Sequence, residues 1–175
     1  MGDRKAWIGR RTRAGFCDDH KVAAVDVEGA KKLLAEAGYP DGFEFTLDCP
    51  NNRYVNDEEI CQAIAAMLAR INVKVNLTAE SKATYFPKIL ARNTSFYLLG
   101  WTPGTLDSHN VLYDIMGCRD DPKSARGEAN LGGYCNKEMD AIADKVLVEA
   151  DTTKRDLLIK QAFEIAAKDF AYIPL

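Results

Sequence analysis

From Asp26 onward the apolar positions recur with two alternating periods. Ala30, Leu33, Leu34 and Ala37 fall on one side of a helix that Asp26 can cap and Gly38 can stop. After the turn-forming stretch Tyr39 to Phe43, the positions Phe43, Phe45 and Leu47 alternate with polar neighbours, the period of a half-buried strand. A second helix is predicted from Asn56, with Glu59 completing a capping box and Ile60, Ile64, Met67, Leu68 and Ile71 forming its apolar stripe. Val73 to Leu77 alternates again as a second strand. Ser81 to Arg92 reads as a helix that Pro87 should kink or start later. Phe96 to Trp101 is apolar at nearly every position, as expected of a third strand covered on both faces.

Further on, Val111 to Met116 predicts a short helix. Asn136 caps another that runs to about Val148, with Met139, Ile142, Ala143 and Val146 inward. Asp151 or Thr152 opens the last helix, whose stripe is Leu157, Leu158, Ala162, Ile165 and Ala166. Ala171 to Leu175 has the pattern of a strand just beginning, so a chain truncated from a longer protein is expected. The order βαβαβ followed by paired helices predicts an α/β sandwich with crossover helices.

Charge narrows the range of partners. The net charge is -3, whereas a phosphate-backbone partner calls for clustered surplus Lys and Arg, so no nucleic-acid partner is expected. The one basic cluster, Arg4 to Gly15, reads as part of a solvated leader or connecting segment over residues 1–25. No apolar run approaches the roughly 20 residues that span a bilayer.

Five cysteines, Cys17, Cys49, Cys61, Cys118 and Cys135, contain no closely spaced pair, and only His20 and His109 stand by to help. A metal site is therefore not expected, and no cofactor is called for. Cys118 and Cys135 bracket a loop rich in Gly, Asp, Lys and Asn; a disulfide there would stabilise by about 3 kcal/mol on the chain-entropy model. Cys49 and Cys61 flank another polar loop and invite the same bond. Free, partly buried thiols are the alternative reading of all four.

An enzyme needs convergent nucleophile, base or metal groups, and no GxSxG, HExxH or phosphate-binding Gly-rich loop is present. Cys118 or Cys135 as a thiol nucleophile, with His109 as base, is the enzymatic alternative, and an intracellular interaction domain is a third. Two polar loops carry more chemistry. The first strand runs into Pro50 to Tyr54 and the third into Trp101 to Asn110; if both strands are parallel, their loops share the carboxyl edge, where open α/β sheets bind ligands. Arg53 offers a planar fork for a carboxylate, Tyr54 and Trp101 offer flat walls, and Asp107 offers a charge for an ammonium group. Thr102 and His109 complete the candidate ligand-binding set. Structural pairing of Arg53 and Asp107, and a core role for Trp101, are the competing readings.

The stretch from Asp26 to Leu47, DVEGAKKLLAEAGYPDGFEFTL, resembles family 5 extracellular solute-binding proteins, the dipeptide, oligopeptide and nickel binders of ABC importers. The likeness continues through AAMLARINVKVNL, FYLLGWTPGTLD and the segment from Cys135 to Leu175. It implies a periplasmic-binding-protein-like (type II) lobe over residues 26–175, an α/β unit whose central mixed sheet has helices on both faces. It implies a non-enzymatic substrate-binding component working with permease and ATPase subunits, itself not membrane-spanning, in the periplasm or another extracytoplasmic space. The signal sequence would then lie outside the chain. Such export makes a Cys118 to Cys135 disulfide chemically reasonable. Dipeptide-binding members hold the ligand carboxylate with an arginine after the first strand, which Arg53 matches. They hold the ammonium with an aspartate a few residues past the Gly-Trp pair; that position is Gly104 here, and the nearest acid is Asp107.

Overall fold

The computed structural model describes residues 24–121 and 123–175. The basic cluster, Cys17, His20 and all but the last two residues of the expected leader lie outside them. The described residues form two compact units, Ala24–Trp101 and Thr102–Leu175.

In the first unit, α1 (Val27–Glu36) starts where Asp26 accepts a hydrogen bond from the Gly29 N–H, and the chain turns away at Gly38, whose φ of +91° is left-handed. Of the expected inward stripe only Ala30 and Leu34 are half-buried; Ala37 is exposed and Leu33 is 66% exposed. The elements that follow are β1 (Glu44–Pro50), α2 (Asp57–Ala69), β2 (Lys74–Glu80), α3 (Lys82–Leu90) and β3 (Phe96–Tyr97). They build a three-stranded sheet of order β2-β1-β3. Both pairings are parallel, so among the described residues the sheet is parallel where a mixed one was expected; α2 returns the chain from β1 to the start of β2, and α3 from β2 to the start of β3.

Because β2 and β3 flank β1 on opposite sides, right-handed crossovers place α2 and α3 on opposite faces. The side chains agree. Leu47 and Cys49 are buried with Cys61 and Ile64 of α2, whereas Asp48, one residue out of phase, is gripped by Lys88 of α3 at 2.6 Å. Pro87 does not delay α3; the helix runs through it.

The third strand is shorter than its apolar run. Leu98 N–H still donates to Asp48 O, but the next β1 residue facing β3 is Pro50, which has no N–H. The Leu98 carbonyl is served by the buried Tyr85 hydroxyl instead.

The second unit holds α4 (Ser108–Asn110), a π-type turn (Val111–Ile115), α5 (Lys137–Val148) and α6 (Thr152–Lys168). Asn136 and Asp151 cap α5 and α6 as expected. The core joins Leu112, Ile115 and Met116 to Met139, Ala143 and Val146 of α5 and to Ile159, Ala162, Phe163 and Ala166 of α6. The α6 stripe is thus rotated from the expected one: Leu157 is 57% exposed, while Ile159 and Phe163 take the centre. Residues 171–175 form no strand; the Tyr172 hydroxyl donates instead to Ile115 O.

Candidate functional site

The loop between β1 and α2 is fixed from below by covalent and ionic bonds. Cys49, at the end of β1, is disulfide-bonded to Cys61 in α2, and both are fully buried. Asp57, 3% exposed, accepts from the backbone N–H groups of Arg53 (2.8 Å), Tyr54 (2.9 Å) and Glu58 (3.0 Å). Burial opposes its charge, but the N–H groups of Tyr54, Arg53 and Glu58 outweigh that and hold the carboxyl below its ordinary range. Sequence reasoning gave this anchoring to Asn56, which is left-handed at φ 56° and makes no cap bond. The first-turn acid was visible next to it. Asn52 also anchors the loop by accepting from the Lys82 N–H at the start of α3.

On this frame the parallel β1 and β3 bring their following loops together, as the sequence anticipated. Gly100 N–H donates to the Tyr54 hydroxyl at 2.9 Å, and that hydroxyl donates to Gly100 O at 3.4 Å. The Arg53 guanidinium lies 4.9 Å from the centre of the Tyr54 ring. Among the described residues it makes no side-chain hydrogen bond or ion pair. Trp101, directly after Gly100, is 42% exposed, which sets aside the core reading of that residue. Arg53, Tyr54 and Trp101 therefore all stand on the first unit.

Thr102, Asp107 and His109 belong to the second unit. Thr102 is exposed. Asp107 caps α4 by accepting from the His109 N–H (2.8 Å) and accepts from Arg155 Nη2 at 2.9 Å; its structural partner is Arg155, not Arg53. Arg155 Nε also donates to Val146 O at the end of α5. Burial opposes the Asp107 charge, yet the Arg155 hydrogen bond, the His109 N–H and the Arg155 charge together keep the carboxyl below its ordinary range. Arg155 was missed in the sequence because its partner lies 48 residues away and no local pattern marks the pair. Burial lowers His109 below the usual imidazole range against the pull of Asp107, and its ring stacks on Tyr113 at 5.5 Å.

Cys118 and Cys135 form a second disulfide. The Cys118 N–H donates to the buried Asp140, which also faces Arg126 at 3.4 Å. Among the described residues no cluster of three or more His, Cys, Asp or Glu could hold a metal ion. No described helix is long and apolar enough to cross a membrane.

Comparison with known proteins gives these features a family. Residues 13–123 match the model of bacterial extracellular solute-binding proteins, family 5, middle region. Heme-binding protein A of Haemophilus influenzae is 30% identical over 163 residues, covering 91% of this chain and 29% of that protein. Glutathione-binding protein GsiB of Salmonella typhimurium is 28% identical over 165 residues, covering 91% and 31%. Among solved structures, the periplasmic binding protein DppA of Helicobacter pylori, in complex with the peptide STSA, superimposes with a TM-score of 0.85 at 25% identity, covering 98% of this chain and 33% of that one. The chain thus spans about a third of the length of these relatives, and its fold is that of the type II periplasmic binding proteins. With the family model matching more than half of its residues, the chain belongs to the family 5 bacterial extracellular solute-binding proteins.

Proposed function

We propose that residues 26–175 are one lobe of a two-lobed substrate-binding component of an ABC-type importer, preceded by a leader or connecting segment. The lobe presents a peptide or related small solute for uptake through permease and ATPase partners, from a periplasmic or other extracytoplasmic location. The observation that carries this reading is the Arg53 guanidinium, held over a Tyr54 ring that bonds Gly100, the residue before the exposed Trp101, and engaged by no acid among the described residues. An exposed guanidinium kept in place by an aromatic face is prepared for a carboxylate, whose two oxygens match its fork. Asp57, four residues along, is committed to backbone N–H groups, and Asp48 on β1 to Lys88. The relatives bind heme, glutathione or a peptide according to their names, and all three ligands carry carboxylates.

The thiol-enzyme alternative loses its support, since the two proposed nucleophiles are bonded to each other. Asp107, already holding Arg155, serves as a cap and ion-pair partner in this reading and not as an ammonium site. Solute arriving at the edge should change the emission of Trp101. The chain has two tryptophans, so the Trp101→Phe variant isolates that signal. A solute-dependent change with dipeptides, the STSA peptide or glutathione that disappears in Trp101→Phe is the expected result; a change that persists in the variant places the solute elsewhere.

A further inference from the structure

Gly100 lies in the exposed segment after β3, and its φ is outside the left-handed region, so its backbone does not require glycine. Its lack of a side chain matters for another reason. A Cβ built there would stand 2.8 Å from Tyr54 Cε1, 3.1 Å from Cζ and 3.4 Å from Cδ1. The Tyr54 ring is therefore seated on the bare face of Gly100. Two hydrogen bonds fix it, from the Gly100 N–H to the phenol oxygen and from the phenol to the Gly100 carbonyl. The same ring lies beneath the Arg53 guanidinium. The chain of contact runs from a glycine on one loop, through an aromatic ring, to the cation on the other.

We infer that Gly100 is a positioning residue for the solute contact at Arg53, setting the guanidinium by seating Tyr54. This rests on the reading of Arg53 as a carboxylate contact. The three atoms nearest a methyl group at position 100 all belong to the Tyr54 side chain, which can swing aside, so Gly100→Ala leaves the fold in place while lifting the ring and unhooking its hydroxyl. The guanidinium then loses the aromatic face that limits its rotamers, and its readiness for an anion falls.

The test is nuclear magnetic resonance of the labelled chain, following the Arg53 Nε–Hε signal, with acetate as the carboxylate probe. In the natural sequence the Tyr54 ring current displaces that signal upfield, and acetate moves it. In Gly100→Ala the upfield displacement is lost and the acetate response weakens several-fold, with far-ultraviolet circular dichroism unchanged. Tyr54→Phe keeps the ring without the hydroxyl; there the displacement shrinks and Gly100 N–H exchanges faster with solvent. This variant carries the test if Gly100→Ala does not fold. An Arg53 signal that stays displaced and responds equally to acetate in both variants overturns the role of Gly100 while leaving Arg53 as a solute contact. An Arg53 signal that ignores acetate in the natural chain overturns the carboxylate reading itself, and Gly100 is then a packing residue only.

Discussion

Replacing Asp57 by alanine tests whether the β1–α2 loop is held as described. The substitution removes the acceptor of three N–H groups at 2.8, 2.9 and 3.0 Å. Hydrogen bonds to a charged acceptor are worth more than neutral ones, but Arg53 is exposed and Tyr54 half-buried, so water recovers part of the loss for their two N–H groups. About 1 kcal/mol for each of these two, with about 0.5 kcal/mol for the Glu58 N–H and the lost negative charge at the start of α2 together, gives a loss of about 2–3 kcal/mol. Urea denaturation followed by circular dichroism reads this as a lower midpoint at unchanged slope. The pH dependence gives an independent check. The folded Asp57 carboxyl sits below its ordinary value of 3.8, so its contribution is complete above that value and is lost as pH falls through the lower, folded pKa. The difference between the natural chain and Asp57→Ala should therefore be constant near neutrality and close below about pH 4. A loss under about 0.5 kcal/mol, or a difference that does not change in acid, would show that the carboxylate does not organise this loop.

Three further outcomes follow from the rest of the fold. Reducing the disulfides, which close separations of 12 and 17 residues, should cost about 3 kcal/mol each on the chain-entropy model, read as a drop in urea midpoint with Cys→Ala pairs assigning each share. Asp107→Ala should cost about 1 kcal/mol in thermal unfolding, mostly the lost cap, because Asp107 is more than a third exposed and water screens its pair with Arg155; added salt should leave most of that cost in place. Phe163→Ala empties the centre of the α5–α6 core, where Phe163 is 3% exposed, and should cost about 3–5 kcal/mol by denaturant titration.

The features legible in the sequence were those set by neighbours along the chain. Asp26 and Gly38 marked both ends of α1, Asn136 and Asp151 the starts of α5 and α6, and the alternation before Cys49 marked β1. What escaped depended on partners far away. In α6 the consecutive Leu157, Leu158 and Ile159 leave the buried face open until α5 packs against it and selects Ile159 and Phe163. In β3 the apolar run says nothing of where pairing stops; that is decided by Pro50 in another strand and by the Tyr85 hydroxyl. At the candidate site, the shared edge of the two loops could be anticipated from parallel topology, and Tyr54 meets Gly100 there. The engagement of Asp107 by Arg155 could not, because it is a tertiary pairing between a loop acid and one of several charged residues on α6.

In the proposed function Arg53 receives the carboxylate of the solute. Calorimetric titration of the proposed two-lobed protein, with and without Arg53→Ala, against dipeptides, the STSA peptide and glutathione tests it. Binding of a carboxylate-bearing solute should weaken by about 100-fold in the variant, equivalent to roughly 2.7 kcal/mol. Equal affinity in both proteins would contradict it.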